Sequence, residues 1–236
     1  LGTTVRRTTD SGNTWATVLS FTSATTEKTG LHVVYQGGIA TVCFISVAST
    51  TTTYNGYSST DGINWTTEGP FTNIAVTNSL SGETVFRNSL YALNAIGGVS
   101  SNSYALVYSP GAGISLIILP AVTSGGTGAG STLCVFNDSL CLLMVRTQLG
   151  AAIGALMYQL SSGNWVLTTA TVIGVGGIQV ANRWCMFVDG SFLYVFAPSS
   201  TTAWECLQCD TSFTYTNISS TVLPYSLLNA TTVSTT

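Results

Sequence analysis

A hairpin signal recurs about every fifty residues, and it limits the possible folds more than any other feature of the chain. Each copy is an apolar run, a short turn rich in asparagine, aspartate or glycine, and a second apolar run, which is the pattern of a β-hairpin. An aromatic residue closes the first run of every copy, at Tyr35, Phe86, Phe136 and Phe187. A repeat of this length predicts copies of one β-unit that pack against one another.

A second repeated unit is a polar turn that ends in tryptophan. It reads Thr8-Thr9-Asp10-Ser11-Gly12-Asn13-Thr14-Trp15, and it returns as Ser59-Thr60-Asp61-Gly62-Ile63-Asn64-Trp65. The aspartate of such a turn accepts hydrogen bonds from nearby backbone N–H groups, and the glycine adopts a positive φ. We expect each tryptophan to bury a large ring at the start of the next strand.

This turn resembles the Asp-box (BNR) repeat of β-propellers, whose motif is roughly Ser/Thr-x-Asp-x-Gly-x-x-Trp. The first copy matches fully, and the second is one residue shorter between the aspartate and the tryptophan. In that family the box builds a peripheral turn and carries no chemistry, so the resemblance implies an architecture and no particular ligand. The stretch 57–66 is also similar to repeats in phage tail-fibre and bacterial surface proteins.

The repeat and the resemblance predict an all-β fold, a β-propeller of four-stranded antiparallel blades. We predict one domain over residues 1–236 with about five blades, one of them composite or incomplete. Half a blade comes from 1–23, and full blades follow at approximately 30–76, 83–120, 131–174 and 180–228. The tail, 229–236, could complete the half blade by pairing with Gly2–Val5. A neighbouring subunit or a missing segment could supply those strands instead.

Composition restricts the class of partner. Hydrophobic residues make up 45% of the chain and charged residues 6%, with a net charge of −3, so we expect no nucleic acid as partner. The chain has no run of about 18 apolar residues, so we predict no membrane insertion. A surface rich in serine and threonine indicates an extracellular, cell-surface or virion protein, whose partners would be copies of itself, other fibre or virion proteins, or surface glycans. The chain begins at Leu1 without a signal peptide, and we expect it to be processed or part of a longer protein.

Cysteines and sequons are the candidate modification sites. Cys134 and Cys141 flank a predicted turn and would lie opposite each other, as a disulfide or as thiols. Cys206 and Cys209 could form a local bridge or stay as buried thiols. Neither a second CxxC nor a histidine pair accompanies them, so no metal or other cofactor is predicted. Sequons, no more frequent than chance predicts for this composition, occur at Asn64, Asn137, Asn217 and Asn229.

Residues suited to catalysis are few. The resemblance implies that a sialidase-like member would need three arginines that clamp a carboxylate, a tyrosine nucleophile with a glutamate partner, and an aspartic acid. Arg6 and Arg7 precede a turn and Arg87 lies in one, so the clamp is predicted to be incomplete. The single histidine, His32, lies in an apolar run and is predicted to pack there or to lie at a rim. We therefore predict a non-catalytic structural or adhesion module and not an enzyme.

The alternative is a degenerate sialidase-like glycoside hydrolase. Five of the nine acidic residues fall in predicted turns, at Asp10, Asp61, Asp138, Asp189 and Asp210. Of the others, Glu205 is the most notable because it lies within a predicted strand. In this alternative Glu205 would act with Arg146 or Arg183. The candidate glycan contacts are three aromatic residues whose rings could stack on sugar faces, Tyr54, Tyr57 and Trp204, and the acid beside the last of them, Glu205.

Overall fold

The computed structural model describes residues 4–21, 25–48, 53–71, 80–94, 104–119, 131–148, 151–173, 185–198 and 204–219. These residues form 19 β-strands. The chain divides into two compact units, residues 1–94 with 104–118, and residues 95–103 with 119–236. In the ranges given above, no helix is both long and apolar enough to cross a membrane.

The first unit contains three antiparallel sheets. Sheet A consists of β1 (Thr4–Arg7) and β2 (Ala16–Ser20). Sheet B consists of β3 (Thr25–Lys28), β4 (His32–Gln36), β5 (Ile39–Ala48), β6 (Thr53–Ser59) and β7 (Thr66–Phe71), in the order β3-β5-β6-β7 with β4 also paired to β5. Sheet C is a meander of β8 (Leu80–Phe86), β9 (Ser89–Asn94), β10 (Tyr104–Ser109) and β11 (Gly113–Ile118).

The second unit contains two four-stranded antiparallel meanders. Sheet D consists of β12 (Ser131–Phe136), β13 (Ser139–Gln148), β14 (Ala151–Ser161) and β15 (Asn164–Ile173). Sheet E consists of β16 (Cys185–Asp189), β17 (Phe192–Pro198), β18 (Trp204–Cys209) and β19 (Tyr215–Asn217).

The predicted fold class is confirmed: the chain is all-β, and its sheets are the antiparallel blades of a propeller, about five in number. Among the described residues, sheet A has two strands. Strand β3 (Thr25–Lys28) belongs to sheet B, so this sheet begins earlier than the predicted 30–76. The single domain and the pairing of 229–236 with Gly2–Val5 stay predictions, since 1–3 and 220–236 lie outside the described residues.

Only two of the four recurring aromatic residues occupy the same position in their sheets. Phe86 and Phe136 directly precede a two-residue turn, and both are buried. In sheets B and E that position is held by Gln36 and Asp189, because the turns fall at 37–38 and 190–191. Tyr35 and Phe187 therefore lie one and two residues earlier than their supposed equivalents, and both side chains are exposed.

Tight turns join the first two strands of sheets C and D, as predicted. Arg87 and Asn88 have φ values of 44° and 65°, and Asn137 and Asp138 have φ values of 50° and 53°. Two consecutive residues with positive φ are typical of the type I′ turn, whose twist matches that of the strands it connects.

The aspartate turns are held by their own side chains. Asp10 Oδ1 accepts hydrogen bonds from the Thr14 N–H at 2.8 Å and the Thr8 hydroxyl at 2.8 Å, and Oδ2 accepts from the Thr14 hydroxyl at 2.6 Å. Asp61 Oδ1 accepts from the N–H groups of Ile63 at 2.7 Å and Asn64 at 2.8 Å. These bonds stabilise the ionised carboxylates. The hydrogen bond from the Thr14 side chain is the main cause that lowers the pKa of Asp10 to about 2, and the Asn64 N–H is the main cause that lowers the pKa of Asp61.

The tryptophans of these turns differ in burial. Trp15 is 51% exposed, and its indole N–H donates to the Gly12 carbonyl at 3.0 Å, so its ring lies on its own turn. The expectation of a buried ring is therefore wrong for Trp15. Trp65 is half-buried, with its ring centroid 5.6 Å from that of Phe44.

Acid is expected to destabilise the first unit through Asp10 and Asp61. The pKa of each is lower in the folded chain than the ordinary 3.8, so each stabilises fully above 3.8, and the stabilisation is lost as the pH falls through that value toward the folded pKa. We expect the melting temperature to fall between about pH 5 and pH 2. An Asp61→Asn variant, which cannot titrate at this position, should show a shallower fall in circular dichroism melts. Equal slopes for the variant and the parent would contradict this account.

Neighbouring sheets within each unit pack through large buried side chains. In the first unit the ring of Tyr108, from β10, lies against Gly56 of β6 and is fully buried. In the second unit the facing sides of sheets D and E form one core, whose buried members are Cys134, Phe136, Cys141, Met157, Met186, Leu193, Val195, Leu207 and Cys209.

Candidate functional site

The predicted glycan contacts lie on β6 in the first unit and on β18 in the second. Tyr54 is fully buried, so it offers no ring face to a ligand. The ring of Tyr57 is stacked on Phe44, with centroids 4.8 Å apart. Both tyrosines belong to the first unit, whereas Trp204 and Glu205 lie on β18 in the second. Glu205 is half-buried, and the side chain of Trp204 lies outside the described residues.

The described arginine side chains do not form a carboxylate clamp. Arg6 donates to the Trp15 carbonyl at 3.2 Å within sheet A, and Arg7 lies next to Gly62. Arg87, in sheet C, lies over the Phe86 ring at 4.9 Å. Arg183 and the side chain of Arg146 lie outside the described residues, so the predicted Glu205 pairing with either stays a prediction.

A tyrosine–glutamate pair does occur, but its position is structural. The Tyr108 hydroxyl donates to Glu68 Oε1 at 3.2 Å, and the Gly111 N–H donates to the same oxygen at 2.8 Å. Tyr108 has no exposed surface, and burial raises the pKa of its hydroxyl. A nucleophile needs access to substrate and an accessible ionised form, so this pair joins sheets B and C and does not suit catalysis.

None of the six cysteines is paired in this structure. Cys134 and Cys141 are cross-strand neighbours, as the sequence indicated, and their disulfide stays a prediction. Cys206 and Cys209 lie three residues apart on one strand, so their side chains point to opposite faces and a bridge between them is excluded. Burial raises the pKa of Cys209 to about 11, so this thiol is protonated at neutral pH. In the part of the chain that the structure describes, no group of three or more His, Cys, Asp and Glu side chains is arranged to bind a metal.

Three of the four sequon asparagines lie on exposed positions of the described chain. Asn137 is in the turn of sheet D. The amide nitrogen of Asn64 donates to Asp61 Oδ2 at 2.7 Å, and the amide oxygen of Asn217 accepts from the Ser219 hydroxyl at 2.6 Å. Asn229 lies outside the described residues. Glycosylation stays a prediction.

The strongest candidate site is a carboxylate–imidazole pair between β4 of sheet B and β8 of sheet C. Glu83 Oε1, from β8, lies 3.5 Å from His32 Nε2, from β4. Both oxygens of Glu83 also accept the Gly30 N–H, each at 2.9 Å. The side chain of Glu83 is 36% exposed and that of His32 is 22% exposed, while the His32 Nε2 atom itself is buried.

A β-bulge between β3 and β4 aims the Gly30 N–H at Glu83. Lys28 pairs with Ser46, and His32 pairs with Cys43, so three residues of the first edge oppose two of β5. Thr29 fills the mismatch: its N–H donates to the Ile45 carbonyl at 3.0 Å, and its hydroxyl accepts the Ile45 N–H at 2.9 Å. The extra residue releases Gly30 from the ladder, as bulges beside functional sites often do.

Gly30 allows the close approach of the carboxylate. A Cβ at this position would lie 2.9 Å from Glu83 Oε1 and 3.6 Å from His32 Nε2. Any other residue would therefore push the Glu83 carboxylate away from the backbone N–H that holds it.

The electrostatics of the pair keep Glu83 ionised. His32 is the main cause that lowers the pKa of Glu83, with a further contribution from the Gly30 N–H, and burial opposes both. His32 Nε2 is a buried atom with no polar partner other than Glu83 among the described residues, so the imidazole holds the Glu83 carboxylate in place. The ionised carboxylate can accept hydrogen bonds from a ligand.

A cavity of about 260 Å³ opens beside this pair. It is lined by Lys28, Leu80, Gly82, Glu83 and Ala92. The Lys28 ammonium lies over the Phe21 ring, 4.6 Å from its centroid. The lining thus combines two charged residues with apolar side chains, the mixture that small-molecule sites use to orient a ligand. Neither Glu83 nor His32 was predicted as a site residue. One signal in the sequence could have identified Glu83: it is one of the four acidic residues that do not lie in a predicted turn.

No family model matches the chain, and no curated protein matches it by sequence. Solved structures match at low identity. One is Zg3597, a family 117 glycoside hydrolase of the marine bacterium Zobellia galactanivorans, with a TM-score of 0.49, 9% identity, and coverage of 82% of this chain and 68% of that chain. Another is fructan 1-exohydrolase IIa of Cichorium intybus, with a TM-score of 0.49, 13% identity, and coverage of 87% and 46%.

A neuraminidase-like protein from A/bat/Guatemala/164/2009 matches with a TM-score of 0.45 and 12% identity over 81% of this chain and 54% of that chain. The chain covers less than half of the length of several of the glycoside hydrolases that it matches, including 42% of the length of two others. Most of these structures are glycoside hydrolases, which contradicts the prediction that the chain is not an enzyme, and that prediction is withdrawn. A likeness at this level concerns the fold, so the ligand is argued below from the chain's own residues.

Proposed function

We propose that the chain is a carbohydrate-active propeller domain that binds a neutral glycan in the cleft lined by Lys28 and Glu83. The observation that supports this most is the ionised carboxylate of Glu83, held by a backbone N–H and an imidazole beside a cavity of about 260 Å³. Sugar hydroxyls both donate and accept hydrogen bonds, so they complement a carboxylate next to nitrogen donors. A cation and an anion in one cleft favour a neutral sugar over an acidic one.

The lowered pKa of Glu83 decides which chemical roles suit it. A carboxylate that stays ionised can accept a proton or a hydroxyl hydrogen bond, whereas a general acid must hold its proton near the working pH. Glu83 is therefore assigned to hydroxyl recognition and, if a bond is cleaved, to the base or nucleophile role. Cleavage of a glycosidic bond takes a second carboxyl group as the acid. Binding and cleavage are accordingly two separate measurements.

A Glu83→Gln variant is expected to lose glycan binding. The substitution keeps the shape of the side chain and removes its charge, and a hydrogen bond to a charged group is worth enough for a loss of about tenfold or more in affinity. Isothermal titration with a panel of neutral oligosaccharides measures the affinity, and release of reducing sugar measures cleavage.

The matched control is Glu205→Gln, which removes the carboxylate that the sequence favoured. We expect this variant to bind and cleave as the parent does. Loss of binding or turnover in Glu205→Gln with none in Glu83→Gln would overturn the proposed site and favour the alternative built on Glu205. Absence of both binding and cleavage across the panel would overturn the proposed function.

The Asp-box resemblance, the predicted location and the predicted assembly are also part of this proposal. The hydrogen-bonded turns at Asp10 and Asp61, and the similar turn in which Asp210 Oδ1 accepts the N–H groups of Ser212 and Thr214, support the Asp-box resemblance. An extracellular, cell-surface or virion location, self-association, and a place in a fibre or tail assembly stay predictions. Binding of surface glycans through this cleft is compatible with each of them.

A further inference from the structure

Among the described strands, sheet A has an unpaired outer edge at β1. Among the described strands, β1 pairs with β2 and with no other, whereas sheets C, D and E each have four strands. The outer side of β1 thus presents backbone N–H and C=O groups that no described strand meets. Such an edge is a template for another strand.

An apolar groove of about 390 Å³ runs between sheet A and the first strands of sheet B. Its walls include Val5 and Val18 from sheet A, and Leu31 and Val33 from the first edge of sheet B. Leu31 is 55% exposed and Val33 is 46% exposed, and Tyr35 continues the same face two residues further on.

Polar groups at the groove add a directional component. The indole N–H of Trp65 is buried and has no hydrogen-bond partner in the described part of the chain, although Trp65 lines the groove. Arg6 and Arg7 line the same groove, together with Asp61, whose carboxylate is already bound by its own turn. The uncompensated charge at the groove is positive.

We propose that this groove binds an extended peptide segment that is apolar at alternate residues and acidic between them. Its backbone pairs with the free edge of β1, and its apolar side chains pack on Leu31 and Val33, while its acidic side chains meet Arg6 and Arg7. Strand addition of this kind takes affinity from main-chain hydrogen bonds and specificity from alternate side chains. Pairing of β1 with β1 of a second copy would instead place four arginines in adjacent strands, and like charges across strands destabilise a sheet.

A short synthetic peptide in which valine alternates with glutamate is the probe. We expect the full chain to bind it in isothermal titration, and the same peptide with lysine in place of glutamate to bind at least about tenfold more weakly. Val33→Glu places a charge in the groove at an already exposed position, and it should weaken binding by about tenfold or more. Ile118→Glu, at a position that is 60% exposed on sheet C, is the control and should leave binding unchanged.

Other outcomes overturn the proposal. Equal binding of the glutamate and lysine peptides would show that the arginines do not select the ligand. Equal affinity of the Val33→Glu and Ile118→Glu variants would place the peptide elsewhere. A dimer in sedimentation that dissociates in Val33→Glu would show that a second copy occupies the groove. Absence of binding by the parent chain with a folded circular dichroism spectrum would also overturn it.

Discussion

Gly56→Ala is expected to destabilise the protein by about 3 kcal/mol, at the upper end of the usual cost of overpacking a core. A Cβ built at Gly56 would lie 2.5 Å from Cζ and 2.7 Å from Cδ2 of the Tyr108 ring. The ring cannot move aside at low cost, because Tyr108 is fully buried and its hydroxyl is bonded to Glu68. Urea unfolding monitored by tryptophan fluorescence measures the effect.

The control for this prediction removes the ring instead of the glycine. In a Tyr108→Leu background the added methyl group no longer meets an aromatic ring, so Gly56→Ala should cost less than about 1 kcal/mol. If Gly56→Ala were equally costly in both backgrounds, the close packing of β6 against β10 would not be the cause.

Leu193→Ala is expected to destabilise the second unit by about 3 kcal/mol, the usual cost of a large cavity in a core. Leu193 has no exposed surface and lies in the core that sheets D and E share. Its neighbours come from two sheets, so the cavity cannot close by a shift of one strand. The measurement is again urea unfolding.

Leu167→Ala is the matched control, since it deletes the same atoms from β15 at a position that is 46% exposed. It should change the free energy of unfolding by less than about 0.5 kcal/mol, as surface substitutions usually do. Similar losses for the two variants would mean that the shared core of sheets D and E is wrongly placed.

The sequence predicted the parts of the fold that depend on local chemistry. Turns such as Asn137-Asp138 need residues that tolerate a positive φ, and the carboxylate of Asp61 organises a turn with the residues beside it. These interactions span few residues, so they can be inferred from spacing alone. The period of about fifty residues then predicted the number of sheets.

Burial could not be inferred in the same way, because it depends on which sheet covers which face. Tyr35 looked equivalent to Phe136, yet one is 61% exposed and the other 2% exposed, since the turn of sheet B lies one residue later relative to the aromatic ring. Trp15 matched the motif fully but belongs to a sheet of two strands. A one-residue change of register turns a side chain to the other face of the sheet, and the amino-acid composition of a strand does not show which register it adopts.

The candidate site was missed for a related reason. Glu83 and Gly30 are 53 residues apart and meet only because a bulge turns one N–H toward the neighbouring sheet. His32 was predicted to pack or to lie at a rim, and its contact with Glu83 cannot be derived from either strand alone. The residues favoured instead, Tyr54 and Tyr57, attracted attention as aromatic rings, and both pack within the fold.

The most direct test uses the fact that the chain contains a single histidine. In a ¹H–¹⁵N spectrum of the imidazole, all histidine signals come from His32, and they report on the cleft without assignment of the rest of the chain. We predict that a neutral oligosaccharide bound by the parent shifts these signals saturably, and that the same sugar leaves them unchanged in the folded Glu83→Gln variant. Unchanged His32 signals in the parent, at sugar concentrations that saturate binding by titration, would contradict the proposed site.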